Sequence, residues 1–158
     1  MKKQKGFSLI ELLIVVAIIL IIAAIAIPNL LRSRMAANES SAVGSLRTIN
    51  TAEVTYATAY PASGFAAALA NLGGAAPCGP ATAATACLID EVLSVTAIKS
   101  GYTFTAVGAG AAPIVAYTAT AVPVIVGSSG QRAFFTDQSG VIRYDTTGAG
   151  ATAASPAL

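Results

Sequence analysis

Hydrophobic residues follow three different patterns along this chain, and each pattern predicts a different structure. Residues 12–27 are all apolar, and a helix over residues 7–27 would be about 31 Å long, enough to cross a bilayer. From residue 29 to residue 60, apolar residues recur every three or four positions, which predicts an amphipathic continuation of the helix. Beyond residue 100, short alternating and β-branched stretches predict strands.

The amphipathic part has one apolar face that we expect to pack against a globular head. Its members are Ala42, Leu46, Ile49, Tyr56 and Tyr60. The polar positions around that face are Arg32, Arg34, Asn38, Glu39, Arg47 and Asn50. Pro61 ends the helix, because the residue before a proline avoids helical backbone angles.

The C-terminal part predicts a small antiparallel sheet. Four strands are expected, over residues 102–105, 115–121, 133–136 and 141–144, and Gly140 supplies the difficult backbone angle in the turn between the last two. Between helix and sheet, residues 61–100 are rich in Pro, Gly, Ala and Thr, and one short helix is expected there, near residues 65–72. The predicted fold is α+β, a lollipop in which the sheet packs on the outer half of one long helix.

The chain carries few charges. Charged residues make up only 10% of it, against 55% hydrophobic residues, which suits a protein that packs against copies of itself. The net charge of +2 depends on Lys2, Lys3 and Lys5. The rest of the sequence has no cluster of basic residues, so it offers little positive charge for binding nucleic acid.

Catalytic chemistry has little support in this composition. There are no histidines, which excludes Ser-His-Asp and Cys-His catalysis and imidazole metal ligands. Among the scattered acidic residues, only Asp90 and Glu91 are adjacent. We therefore expect neither an enzyme nor a cofactor, and two cysteines without histidine do not suffice for a typical zinc site.

The N-terminal segment allows three interpretations. It could be a plain membrane anchor, or a secretory signal cleaved after Ala26 that releases an exported binding module beginning at Ile27. The third interpretation is cleavage between Gly6 and Phe7, before the apolar stretch, which keeps the helix in the mature chain. In each retained-helix case the basic first residues stay in the cytoplasm and the C-terminal part crosses the membrane.

Only the third interpretation explains Glu11, a carboxylate at the front edge of the apolar stretch. A charged side chain costs roughly 2.5–3.5 kcal/mol at the bilayer centre. Cleavage would expose the amine of Phe7, which is largely cationic at neutral pH, one helical turn from Glu11. The amine of one subunit could then pair with Glu11 of another, so that a misplaced subunit would leave an unpaired buried charge.

The start of the chain closely resembles the N-terminus of type IV pilins and pseudopilins. The matching stretch is Lys5-Gly6-Phe7-Ser8-Leu9-Ile10-Glu11-Leu12, followed by an apolar run that ends Ile27-Pro28-Asn29. In that family a prepilin peptidase cuts after the glycine and methylates the new phenylalanine amine, and the glutamate guides docking into the growing filament. The resemblance therefore implies Gly6 and Phe7 as the processing site, and Phe7, Glu11 and Pro28 as assembly residues.

The resemblance also divides the chain. The expected parts are a leader (1–6), a transmembrane or filament-core helix (7–28), an amphipathic helix half (29–60), a connecting loop (61–100) and a sheet with its tail (101–158). Pro28 predicts a kink near residues 24–28, which is either a compliant point in a filament or a harmless bend at the membrane boundary.

Partners and location follow from the same resemblance. The expected partners are other copies of the chain in a helical polymer, the prepilin peptidase, an inner-membrane assembly platform, other minor pilins, and membrane lipid before assembly. The precursor is expected to be a single-pass inner-membrane protein. The product would be either an extracellular type IV pilus subunit at the cell surface or a periplasmic pseudopilin of a type II secretion system.

Export across the membrane would place the two cysteines in an oxidising compartment. In an oxidising compartment Cys78 and Cys87 are expected to form a disulfide, with two buried free thiols as the alternative. Asp137 and Asp145 are weak calcium candidates, by analogy with some major pseudopilins. Two carboxylates in a turn-rich tail are more often only solvated.

Overall fold

The computed structural model describes residues 7–74 and 77–158. Its elements are α1 Leu9–Ala59, α2 Leu69–Leu72, a π-helical turn Val92–Thr96, β1 Ile98–Lys99, β2 Tyr102–Ala109, β3 Ala116–Pro123, β4 Ala133–Asp137 and β5 Arg143–Asp145. The chain divides into two compact units at Arg34. The described part of the first unit contains the start of α1, and the second unit contains the rest of α1 with all the other elements.

The five strands form one sheet in which each strand pairs antiparallel with the next along the chain. Sequential strands are therefore neighbours, and the connections between them stay short. The predicted α+β class, with an antiparallel sheet packed on a long helix, is confirmed. The sheet nevertheless has five strands where about four were predicted, because β1 was not expected.

The additional strand depends on a tight turn. Lys99 pairs with Tyr102, so that Ser100 and Gly101 form the two-residue connection between β1 and β2. Both connecting residues have positive φ, 50° and 72°, as a type I′ hairpin turn requires. β1 has only two residues, which is too few for an alternating pattern to predict a strand.

The core of the second unit lies between α1 and the inner face of the sheet. Alternation along β2 places Tyr102 and Phe104 inside and leaves Thr103 and Thr105 exposed. The helix contributes the buried residues Ala42, Leu46, Ile49 and Tyr56, with Tyr60 partly buried against the same cluster. The apolar face predicted for the amphipathic part of the helix is thus confirmed.

Glu39 is buried, although the pattern predicted it among the polar positions around that face. Its carboxylate accepts hydrogen bonds from the Gln131 amide (2.9 Å), the Arg132 amide (3.1 Å) and Arg132 Nε (2.8 Å). The Arg132 guanidinium also lies 5.6 Å from the ring centres of Phe134 and Tyr144. Burial alone would raise the pKa of Glu39, but the hydrogen bonds and the Arg132 charge outweigh burial and lower that pKa. The pair ties the β3–β4 connection to α1.

Glu53 is a second acidic residue of α1 that folding buries, and the sequence pattern did not predict its burial. Its side chain is fully buried, and Oε2 accepts a hydrogen bond from the Ala66 amide at 2.8 Å. The other oxygen, Oε1, has no hydrogen-bond partner among the described residues. Burial raises the pKa of Glu53 to about 7, and the Ala66 hydrogen bond only partly opposes this rise.

The region between helix and sheet contains more structure than predicted. Besides the expected short helix, here α2, it includes the π-helical turn and β1. Cys78 and Cys87 form the expected disulfide. The Tyr56 hydroxyl donates a hydrogen bond to the Ala83 carbonyl at 2.6 Å, which attaches the disulfide-closed loop to α1.

Replacing Glu53 with Gln is expected to abolish one pH dependence of stability. The pKa of Glu53 is about 7 in the folded protein and about 4.3 in an unfolded chain, so the folded protein binds more protons between these pH values. The free energy of unfolding of the wild type therefore falls as pH rises through this window, by up to about 3 kcal/mol. In E53Q this decline disappears, and the variant is more stable than the wild type above pH 7.

The measurement is denaturant unfolding of the full chain in mild detergent, followed by near-ultraviolet circular dichroism across the pH window. Glu91→Gln, which removes an exposed carboxylate, is the matched control and should keep the wild-type slope. A slope that persists unchanged in E53Q would contradict the assignment.

Replacing both Cys78 and Cys87 with Ser is expected to lower the free energy of unfolding by about 2.5 kcal/mol, because the unfolded chain regains the freedom that the loop closure removes. A shift in the denaturant midpoint measures this loss. Reductant should produce a similar shift in the wild type and none in the double variant. If reductant left the denaturant midpoint of the wild type unchanged, the two thiols would be free.

Candidate assembly site

The described start of α1 is an exposed apolar surface. Every large aliphatic side chain from Leu9 to Leu31 is exposed, most of them by more than half. These side chains surround the helix, because residues 12–27 are apolar without exception. A helix that is apolar all round is typical of a membrane span or of the centre of a large bundle. Among the described residues, α1 is the one helix long and apolar enough to cross a membrane.

Glu11 is the charged exception, and it stabilises the beginning of α1. Ser8 immediately precedes the first helical residue, and its amide donates a hydrogen bond to Glu11 Oε2 at 2.9 Å. The Ser8 carbonyl accepts the first helical hydrogen bond, from the Leu12 amide at 3.2 Å. A carboxylate at this position satisfies an otherwise free N–H and interacts favourably with the helix dipole.

This contact leaves part of the carboxylate available. Glu11 is exposed, and its Oε1 makes no hydrogen bond within residues 7–74 or 77–158. One oxygen is therefore held by the chain's own backbone, and the other has no partner within the described residues. In an apolar environment the free oxygen requires a donor, since an unpaired carboxylate is costly to bury.

Phe7 lies at the same end of α1. It precedes the first helical residue, and its side chain is 77% exposed. Ser8 is the only residue between Phe7 and the helix, so Phe7 begins close to the turn that Glu11 caps. Gly6, the other half of the predicted cleavage site, lies outside the described residues.

Pro28 lies inside α1, which continues through it from Leu9 to Ala59. Because proline has no backbone N–H, the carbonyl of Ala24 lacks its usual helical donor. The kink expected near residues 24–28 stays a prediction.

The two calcium candidates do not lie together in this structure. Asp137 Oδ1 accepts a hydrogen bond from the Ser139 amide at 2.9 Å, and Asp145 Oδ1 accepts one from the Thr147 amide at the same distance. The register pairs Asp145 with Ala133, four residues from Asp137, which places the Cα positions of the two aspartates about 13 Å apart along the strands. The described residues contain no group of three or more metal-ligating side chains.

The hydrogen bond between Ser8 and Glu11 was not predicted, although the sequence contains a signal for it. A serine followed three residues later by a glutamate, just before an apolar run, is the spacing of a capping box. Of the two hydrogen bonds of a capping box, the structure contains the one in which the Ser8 amide donates to the Glu11 carboxylate.

Comparison with known protein families points to the same segment. A family model described as the prokaryotic N-terminal methylation motif matches residues 1–27. The matched segment includes the predicted cleavage site and Glu11, and it ends one residue before Pro28. The predicted resemblance to the type IV pilin family is thereby confirmed for this part of the chain.

Two relatives carry names that agree with the motif. A Thermus thermophilus protein named type IV wide pilus major component PilA4 is 62% identical over 40 residues, which are 25% of this chain and 30% of that protein. A Myxococcus xanthus protein named type IV major pilin protein PilA is 46% identical over 54 residues, which are 34% of this chain and 24% of that protein. The matched segments thus span less than a third of either relative. No solved structure matches this chain significantly.

Proposed function

We propose that this chain is the structural subunit of a type IV pilus, processed between Gly6 and Phe7 and assembled through its N-terminal helix. The observation that carries the proposal is the coincidence, in one segment, of a methylation motif and a helix that is exposed and apolar on every side. One relative is named a type IV pilus major component and the other a type IV major pilin, which supports a filament as the product.

Burial of the apolar helix is the proposed force that holds the filament together. Apolar surface taken from water gains about 25 cal/mol per Å². Surface taken from lipid gains mainly through close packing, because lipid tails are as apolar as leucine. The helix is therefore stable in the membrane before assembly and in a bundle of copies afterwards.

Glu11 is proposed to set the position of each subunit. The Ser8 amide holds Oε2, and Oε1 is free to accept a hydrogen bond from the new amine of Phe7 on a neighbouring copy. Cleavage creates this amine and methylation leaves it cationic. A subunit in the wrong position would bury both charges unpaired, which is strongly unfavourable.

The proposed partners are the prepilin peptidase, an inner-membrane assembly platform, other minor pilins and further copies of the chain. The precursor would wait in the inner membrane through α1, and the assembled form would lie at the cell surface. No catalytic role is proposed, since the relatives carry the names of a pilus component and a pilin.

A pseudopilin of a type II secretion system is the second candidate. The methylation motif covers residues 1–27, and a pseudopilin would share this segment and its processing. The two candidates differ in destination, because a pseudopilus stays in the periplasm and a pilus extends from the surface.

Intact mass and N-terminal sequencing of protein sheared from cells test the processing and the destination together. The pilus proposal predicts a chain that begins at Phe7 and is heavier by one methyl group than the unmethylated processed chain. Without reductant, its mass should be lower by two hydrogens than after reduction of the disulfide. A chain beginning at Ile27 would overturn the proposal and favour an exported module cleaved after Ala26. A processed Phe7 chain that stays in the membrane fraction would favour the pseudopilin.

Replacing Glu11 with Gln is expected to reduce sheared filaments about tenfold or more, because the neighbouring amine would be buried without its counter-charge. Processing at Phe7 should continue in E11Q, as the intact mass will show. The control is Asp145→Asn, which removes a carboxylate from the second unit and keeps its turn. Filaments of E11Q at the wild-type level would contradict the proposed role of Glu11.

A further inference from the structure

Almost every charged side chain of residues 35–158 has a partner within its own chain. The contacts are Glu39 with Arg132, Asp90 with Lys99, Glu53 with the Ala66 amide, Asp137 with Ser139, Asp145 with Thr147, and Arg143 with the Ser155 carbonyl. Within the described part of this unit, two charged side chains make no hydrogen bond and no ion pair. They are Arg47 and Glu91, one cation and one anion.

Arg47 lines a groove beside β5, which we call the basic groove and define by Arg47, Val141, Ile142 and Leu158. Two adjoining cavities of about 250 and 270 Å³ share Arg47 and Leu158 as lining residues. Val141 and Leu158 are exposed, by 39% and 54%. The helical neighbours of Arg47 include no acidic residue at three or four positions on either side. One of the two cavities is also lined by Glu39 and Arg132, whose side chains pair with each other at 2.8 Å. Among the described side chains that line the groove, Arg47 is thus the one charge without a partner.

Glu91 lies beside β1, in a surface that we call the acidic edge and define by Glu91, Val92, Val95 and Ile98. The three aliphatic side chains are exposed by 45%, 59% and 51%. The neighbouring carboxylate, Asp90, is already paired with Lys99 at 2.7 Å. The acidic edge therefore combines exposed apolar side chains with one uncommitted carboxylate.

The two surfaces lie at opposite edges of the sheet. The π-helical turn that carries Glu91's neighbours leads directly into β1, and Val141 and Ile142 lead directly into β5. These are the two outer strands of the order β1-β2-β3-β4-β5, about 19 Å apart at the usual strand spacing. A single copy therefore cannot bring its own Arg47 and Glu91 together.

We propose that the acidic edge of one subunit docks into the basic groove of the next, with Glu91 of one copy pairing with Arg47 of its neighbour. The occupant is a second copy because the opposite charge and the exposed aliphatic side chains are both on this chain. Complementary charges orient such a contact and exclude wrong partners. The contact is heterologous, since two different surfaces meet, and a heterologous contact that does not close a ring continues into a helical filament. This inference rests on the proposed function and adds the contact between heads.

Charge reversal with rescue tests the contact in the full chain. Arg47→Glu and Glu91→Arg are each expected to lower the yield of sheared filaments about tenfold, because each places like charges together. The double variant R47E/E91R restores opposite charges and should return the yield to near the wild-type level. Ala109→Glu is the matched control, because Ala109 is exposed at the far end of β2 and pairs with Ala116, which belongs to neither surface. The added charge should leave the yield unchanged.

Cysteine cross-linking provides a second, independent readout. The pair R47C/E91C should give a ladder of covalent oligomers on a non-reducing gel of sheared filaments, whereas R47C alone or E91C alone should give none. Failure of the two single charge variants to lower the yield, or of the double variant to restore it, would overturn the contact, as would absence of the ladder. These failures leave the proposed function standing. A wild-type chain that forms no filament would overturn the proposed function and the contact with it.

Discussion

The structure depends first on an apolar helix that has no stable place in water. From Leu9 to Leu31 the large aliphatic side chains are exposed on all sides of α1, so this surface must be covered by lipid or by other copies. A helix with one polar side could lie on a folded head, but this one offers no such side. In the proposed filament, the single carboxylate at its beginning, Glu11, would select the neighbouring subunit, because a charge in an apolar environment needs a counter-charge.

In the second unit, nearly all charged side chains have partners within the same chain, whereas the proposed partner of Glu11 is in another subunit. Glu39 and Glu53 lie on the same helix and are both buried, yet their pKa values move in opposite directions. Glu39 has Arg132 and two backbone amides as donors, which favour the ionised form. Among the described residues, the Ala66 amide is the one donor to Glu53, so burial prevails and favours the neutral form. The number of donors that reach each carboxylate decides the outcome.

Long, strongly periodic elements were predictable, and short ones held by turns were not. The apolar face with Leu46 and Ile49 was read correctly because burial imposes a period of three to four residues. β1 was not predicted because two residues are too few to show an alternating pattern. Its position depends on the turn at Ser100 and Gly101, which both have positive φ angles. The burial of Glu39 was missed for a different reason. Its partners are more than 90 residues away in sequence, where no local pattern can indicate them.

The sequence by itself determined the kind of segment at the N-terminus and the kind of fold that follows it. A run of apolar residues, a carboxylate at one position and a methylation motif are local properties, and local properties can be read from neighbouring letters. The tertiary structure decided which charges are used within the chain and which remain free. Whether Arg47 or Glu91 has a partner depends on which distant residues folding brings close, and that is decided by the packing of α1 and the order of the strands.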